Sequence, residues 1–206
     1  SALPHSAAMV AMGGYLLLRV APLLAATGWA ADAAAWLGAL SALALGVVAL
    51  AQHDLKQLLA ASTVAQLGYV LLAAGVGAVG AGAAHLAAHA ATKSLLFLAA
   101  GVWLVRRGAT SLTAVTGAGR DDRVVGVAFT VGALALAGIP PLSLWATKDA
   151  VLAAAQAQST LLYGVGLAGA ALSAGYAAKA LTVVWAPGPG ATTASPGQAS
   201  GALVSL

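Results

Sequence analysis

Three basic side chains, His85, His89 and Lys93, follow one another at four-residue intervals within a single apolar stretch. In an α-helix this spacing places them within an arc of about 80°, each about 6 Å above the last along the axis. Imidazole can accept a proton on one nitrogen and release one from the other. A lysine in an apolar helix is costly as a buried charge, so it must face protein or water and can exchange its proton. The stripe therefore predicts a proton relay.

Two other interpretations of this stripe stay open. The histidines can be structural, each satisfying a neighbouring carbonyl. Histidines four residues apart can also bind zinc, but the nearby sequence holds no Asp or Glu to complete a ligand set.

Lys148 is the second candidate, seven residues beyond Pro141 and next to Asp149. Proline removes a backbone donor and breaks helices, and broken membrane helices line cavities that hold ions. We therefore predict that Lys148 titrates, with Asp149 in support. The alternative is an interfacial pair that reaches out to water.

Polar residues elsewhere suggest less specific roles. His5 stands at the start of the first apolar run, and Asp54 and Lys56 lie at a turn where Asp54 can cap the next helix. Ser62, Thr63 and Gln66 can form hydrogen bonds between helices or hold relay water. We interpret the tyrosines and tryptophans as packing and interface anchors, and the charges at 120–123 as a solvated face or a partner contact.

Composition supports a membrane setting for these groups. The chain has 206 residues, of which 61% are hydrophobic and 7% charged, whereas soluble domains carry about 25% charged residues. The net charge of +4 comes from too few side chains to build a nucleic-acid-binding face. The absence of cysteine excludes disulfides and thiolate ligands.

The apolar runs predict an all-α integral membrane protein with about six transmembrane helices, each needing about 20 apolar residues. The predicted domain covers 1–186, and 187–206 is predicted to be a disordered tail. The fifth helix is expected to break at Gly138–Pro141. The predicted spans are 5–25, 33–51, 58–76, 83–105, 124–155 and 161–185.

Basic loop residues predict the orientation. Lys56, Arg106, Arg107, Arg120 and Arg123 fall on the side of the N-terminus, against Arg19 on the other. The positive-inside rule makes the N-terminus of this segment and the 106–123 loop cytoplasmic, in a multi-pass cell-membrane protein. The chain begins with Ser1 and shows no signal peptide, so we expect a piece of a longer protein or a truncated relative of one.

Four ordered motifs carry a family resemblance: Asp54-Leu-Lys56 running on to Ser62-Thr63-Val-Ala-Gln66, His85-Leu-Ala-Ala-His89-Ala-Ala-Thr-Lys93, Ala137-Gly-Ile-Pro-Pro141 and Lys148-Asp149. Together they resemble the antiporter-like, proton-translocating membrane subunits of respiratory complex I, and most resemble subunit L of bacterial NADH-quinone oxidoreductase. The first ten residues are similar to the start of that family's eighth transmembrane helix. The resemblance covers about residues 1–185.

The resemblance implies roles residue by residue. Lys93 matches the central relay lysine, His85 and His89 the histidines before it, and Lys148 the proton-exit lysine. His5 matches the relay histidine of the eighth helix, and Asp54 and Lys56 match an Asp-x-Lys motif. The implied partners are protons, the lipid bilayer and other membrane subunits of a complex I-like assembly that holds the redox centres. The implied protein is a translocase subunit with no redox chemistry or cofactor of its own.

The chain also departs from the family pattern. Ala91 and Thr92 replace aromatic residues before Lys93, and Thr147 stands where a serine precedes the exit lysine. The family's first half and its lateral helix are absent, so we expect the second, exit half of a channel. A cation/proton antiporter, a membrane-hydrogenase or bicarbonate-uptake subunit, and a non-conducting truncated paralogue with a packing role remain alternatives.

Overall fold

The computed structural model describes residues 10–187 as a bundle of helices joined by short loops. The predicted all-α fold is confirmed. In chain order the helices are α1 (Val10–Arg19), α2 (Ala21–Thr27), α3 (Trp29–Ala51), α4 (Leu55–Gly75), α5 (Val79–Arg107), α6 (Ala118–Asp121), α7 (Arg123–Ala137), α8 (Ser143–Gln158) and α9 (Thr160–Trp185).

Four of these helices, α3, α4, α5 and α9, are long and apolar enough to cross a membrane. They correspond to the second, third, fourth and sixth predicted spans. The largest difference at a helix start is four residues, Trp29 observed against position 33 predicted for α3, and Val79 against 83 for α5.

The fifth predicted span is two half-helices, as expected from its proline pair. α7 ends at Ala137, and Gly138 follows in the left-handed conformation with φ of 80°, which glycine adopts without a Cβ penalty. The backbone N–H groups of Gly138 and Ile139 bond back to the carbonyls of Ala135 and Leu134. The break leaves the carbonyl of Leu136 available to another donor.

The first predicted span is wrong as a single helix within the described residues. α1 and α2 are separated at Val20, and Pro22 lies in the first turn of α2. Proline has no N–H to continue the hydrogen-bond ladder of the preceding helix, so the chain restarts there. His5 and the predicted tail at 188–206 lie outside the described residues.

Glycines let α3 and α4 pack backbone against backbone. A Cβ on Gly68 would lie 2.6 Å from the carbonyl oxygen of Gly38, and one on Gly75 would lie 2.6 Å from that of Ala31. Small residues permit this approach in membrane helices. α4 consequently lies at the centre of the bundle, in contact with α1, α3, α5 and α8.

Hydrogen bonds tie the helix ends together at one end of the bundle. The Asp54 carboxylate caps α4 by accepting from the backbone N–H groups of Lys56 at 2.9 Å and Gln57 at 3.1 Å, which confirms the predicted cap. It also accepts from the hydroxyl of Thr110 at 2.8 Å, in the loop after α5. The start of α4 and the arginine-rich loop therefore lie at the same end.

The opposite end is joined by different groups. Gln158, at the end of α8, donates to the carboxylate of Asp32 at the start of α3, at 2.7 Å. The basic loop residues 106–123 are thus separated by the length of the bundle from the α8–α9 turn.

Candidate functional site

The structure brings together four of the predicted relay residues in the bundle interior. His85, His89, Lys93 and Lys148 are exposed by 0%, 3%, 0% and 4% respectively. Charged residues are almost never buried to this degree unless they are paired or functional. Lys148 is thus buried within the described bundle rather than extended to its surface.

Lys93 is held by α4. Its Nζ donates to the carbonyl oxygen of Leu59 at 2.8 Å and to the hydroxyl of Ser62. Ser62 in turn donates to the same Leu59 carbonyl at 3.0 Å. Among residues 10–187 no carboxylate forms an ion pair with Lys93. Removing a partner from a buried charge is costly, and for Lys93 the partners are one carbonyl and one hydroxyl oxygen of α4.

His85 and His89 are stacked along α5, one turn apart. Their rings are nearly parallel, at 8°, with centroids 6.4 Å apart. Both ring nitrogens of His89 and Nε2 of His85 have no hydrogen-bond partner among the described protein atoms. Buried polar atoms usually have a partner. Free nitrogens on both rings are what proton transfer between them through water requires.

Thr147 connects His85 with the element that carries Lys148. Its hydroxyl lies 2.9 Å from Nδ1 of His85, and the threonine directly precedes the lysine in α8. A hydroxyl both donates and accepts, so either Thr147 Oγ1 or His85 Nδ1 can be the donor of this hydrogen bond. The polar row on α5 therefore continues into α8.

The Lys148 side chain contacts the C-terminal end of α7, the first half of the broken helix. Its Nζ donates to the Leu136 carbonyl at 2.9 Å and to the hydroxyl of Ser173 on α9 at 2.6 Å. The carbonyl end of a helix carries partial negative charge, which favours a cation. The helix break thus supplies the acceptor that holds the lysine.

Tyr69 lies between the two halves of this row. Its ring centroid is 5.6 Å from that of His85, and Lys148 Nζ lies 5.7 Å from the same ring. The Tyr69 hydroxyl donates to the carbonyl of Gly166 on α9 at 2.9 Å. The ring therefore offers Lys148 a cation–π contact while the hydroxyl fixes its orientation.

Gln66 provides a further link between helices, since its amide donates to the hydroxyl of Tyr176 on α9 at 2.8 Å. The predicted interhelical hydrogen bonds are thus seen for Gln66 and Ser62. Thr63 instead donates to the Leu59 carbonyl of its own helix, at 2.9 Å.

A cavity of about 200 Å³ lies against Lys148, between the helix break and α9. Asp149 and Trp145 line it and are exposed at the surface of the described chain. Asp149 forms no ion pair with Lys148. The cavity connects the buried amine with the outside of this part of the bundle.

The remaining predicted residues that the structure describes lie apart from this cluster. Asp54 and Lys56 belong to the first turn of α4, where Asp54 caps the helix. His5 lies outside the described residues. Within residues 10–187, no group of three His, Asp or Glu side chains is placed to hold a metal ion.

Sequence reasoning missed three contributors: the Leu136 carbonyl, Ser173 and the linking role of Thr147. The role of Ser173 could have been predicted, because a serine inside an otherwise apolar span needs a hydrogen-bond partner. The role of Thr147 could also have been predicted, because it adjoins a lysine beyond a helix break. The Leu136 carbonyl could not have been predicted, because every residue type has a main-chain carbonyl.

These features define a class: a helical membrane protein with a row of buried basic side chains beside a broken helix. Residues 1–173 match the family model described as "NADH:quinone oxidoreductase/Mrp antiporter, TM". The chain belongs to this family, and the resemblance seen in its motifs is confirmed. Its four long apolar helices make it a membrane-spanning segment.

Named relatives agree with this placement. The chain is 38% identical over 185 residues to NAD(P)H-quinone oxidoreductase subunit 5, chloroplastic, of Mesostigma viride, covering 85% of this chain and 28% of that protein. It is 42% identical over 162 residues to the same-named protein of Zygnema circumcarinatum, covering 74% and 23%. The fold is similar to a chain in the structure of the Mrp complex from Dietzia sp. DQ12-45-1b, with a TM-score of 0.83, 27% identity and coverage of 90% and 36%. The chain therefore spans less than a third of the length of these curated relatives.

Proposed function

We propose that this chain forms part of a proton-translocating membrane subunit in a larger assembly of the NADH-quinone oxidoreductase type. The observation that carries the proposal is the row of buried Lys93, His89, His85 and Lys148, with the partly buried Thr147 bonded to His85 beside Lys148. Curated relatives are quinone oxidoreductase subunits, which supports a role beside subunits that hold the redox centres.

Protons would pass from Lys93 to His89 and His85 along α5, cross to α8 at Thr147, and reach Lys148. Each histidine step is about 6 Å along the helix axis, a distance that one water bridges. From Lys148 the adjoining cavity leads past Asp149 to the surface of the described chain. His5, which matches the family's relay histidine, would act earlier in the path.

The proposed orientation places the 106–123 loop on the cytoplasmic side, or its organellar equivalent, and the α8–α9 turn on the other. Five basic side chains at the first side support this orientation. Protons would therefore leave toward the side that carries Gln158.

A cation/proton antiporter subunit is the second candidate, favoured by the fold similarity to a chain of the Mrp complex. Both functions need the same buried row. They differ in the driving force, which is a redox reaction in one case and a cation gradient in the other.

Proton uptake by sealed vesicles that contain the assembled complex tests the proposal. Lys93→Met keeps the side-chain length and removes the exchangeable proton, so uptake per turnover of the driving reaction should fall close to background. Lys179→Met is the matched control, because Lys179 also binds main-chain carbonyls, those of Leu50 and Gln52, but lies away from the row. Unchanged uptake with Lys93→Met, at normal abundance, would instead support a packing role without conduction.

A further inference from the structure

Two arginines stand apart from the other charges of the 106–123 loop. Arg106 pairs with Asp122 and Arg107 with Asp121. Arg120 and Arg123 have no carboxylate partner among the described residues. The loop therefore presents two positive charges that its own aspartates leave uncompensated.

No other acidic side chain among these 206 residues compensates the two arginines. The sequence contains five acidic residues, and none lies in 1–9 or 188–206. Asp54 caps α4 and Asp32 accepts from Gln158 at the opposite end. Asp149 lines the cavity beside Lys148.

Arg120 and Arg123 line a cavity of about 500 Å³ together with Trp185. The Nε of Arg120 donates to the Trp185 carbonyl at 2.7 Å, and the Trp185 indole N–H donates to the hydroxyl of Thr130 at 2.8 Å. These bonds fix one wall of the cavity and the direction of one guanidinium. The cavity lies where α7 begins and α9 ends, at the polar edge of the apolar bundle.

An apolar stripe leads away from this cavity along α7. Val124, Val127 and Val131 fall on one helix face and are exposed by 80%, 56% and 47%. Two cations followed by an exposed apolar face match a molecule with an anionic head and a hydrocarbon tail. Guanidinium groups bind phosphate oxygens strongly, and basic pockets at membrane interfaces take anionic lipid headgroups.

We propose that Arg120, Arg123 and Trp185 bind the phosphate headgroup of an anionic phospholipid whose acyl chain lies along Val124, Val127 and Val131. Arg123 provides a free guanidinium, and Arg120 a fixed one. The site is separate from the buried row, so its test does not depend on proton translocation.

The test uses the assembled complex in nanodiscs of phosphatidylcholine, with a trace of phosphatidylglycerol that carries a photoreactive group in its acyl chain. After illumination, mass spectrometry measures labelling of the peptide that contains residues 124–131. The phosphatidylglycerol probe should label this peptide more strongly than a phosphatidylcholine probe with the same photoreactive group. Arg123→Gln should lower it by roughly fivefold, the factor that corresponds to about 1 kcal/mol per basic residue near an anionic lipid.

Matched variants keep the outcome clear. Arg123 makes no side-chain hydrogen bond to a described residue, so Arg123→Gln should leave abundance unchanged, and Arg123→Lys should retain most labelling. Lys56→Gln removes one charge at the same end and should have no effect. Equal labelling by both probes or unchanged labelling in Arg123→Gln would overturn the proposal. Loss of labelling when inorganic phosphate is added would also overturn it, because that result indicates a free-phosphate site. So would labelling of a neighbouring subunit with no labelling of 124–131.

Discussion

Lys93 and Lys148 each donate to the same two kinds of acceptor, one main-chain carbonyl and one serine hydroxyl. Lys93 uses Leu59 and Ser62 on α4, and Lys148 uses Leu136 on α7 with Ser173 on α9. Each serine also donates to a carbonyl of its own helix. Neither lysine has a carboxylate partner among the described residues. The two ends of the row therefore offer a proton similar surroundings, which suits transfer between them.

Removal of the Lys148 amine should interrupt the end of the row. In the assembled complex, Lys148→Ala should lower proton translocation by about tenfold or more, equivalent to at least about 1.4 kcal/mol on the transfer barrier. Membrane abundance should change less, because only two hydrogen bonds and one cation–π contact are lost. Lys179→Ala is the control, and it should retain translocation. Equal translocation in Lys148→Ala and parent vesicles would contradict a titrating role.

Thr147 should be needed for its hydroxyl rather than for its volume. Thr147→Val keeps the shape but leaves Nδ1 of His85 without its 2.9 Å partner. The substitution removes the hydroxyl through which the row crosses to α8, so translocation should fall by about tenfold, or about 1.4 kcal/mol on the transfer barrier. Thr147→Ser restores a hydroxyl and should recover most of the rate. The hypothesis fails if the valine and serine variants translocate equally.

The close contact between α3 and α4 predicts a contrast between two glycines. Gly68→Ala would place a Cβ 2.6 Å from the carbonyl of Gly38 and 2.7 Å from the backbone nitrogen of Ala42. Backbone atoms cannot yield as a flexible side chain can, so this variant should lose about 1–3 kcal/mol or more of stability. Gly101→Ala on α5 meets no atom within 4 Å and should be tolerated. The two variants are compared by their membrane abundance and by thermal melting of the purified complex.

Cysteine labelling tests the orientation of the bundle. The chain contains no cysteine of its own, and Thr113 and Gln156 are both exposed, at opposite ends of the bundle. A cysteine at position 113 should react with an impermeant maleimide from the cytoplasmic side, and one at 156 from the other side. Reaction of both from the same side would reject the proposed topology.

Much of this arrangement could be predicted, because apolar runs and charges control helices in a membrane. The start of α4 after Asp54 and the end of α5 at Arg106 and Arg107 follow from polar residues, and the break after Ala137 follows from the proline pair. The stripe of His85, His89 and Lys93 follows from helical periodicity alone.

Other parts depend on tertiary contacts that no local pattern encodes. The restart of the chain at Val20 is an exception, because it follows from Pro22, a local signal within an otherwise apolar run. The meeting of Thr147 with His85 joins residues 62 positions apart. The Lys148 site uses a main-chain carbonyl, and its partner Ser173 comes from a different helix.

The central claim is that the charge on Lys93 changes during each translocation event, and Lys93→Arg tests it most directly. Arginine keeps a cation at this position but does not deprotonate in proteins. Proton translocation per turnover in sealed vesicles, normalised to membrane abundance, should therefore fall to near background in Lys93→Arg, as it should in Lys93→Met. A purely structural cation predicts the opposite ranking, with Lys93→Arg active and Lys93→Met poorly assembled. Full translocation by Lys93→Arg would contradict the relay.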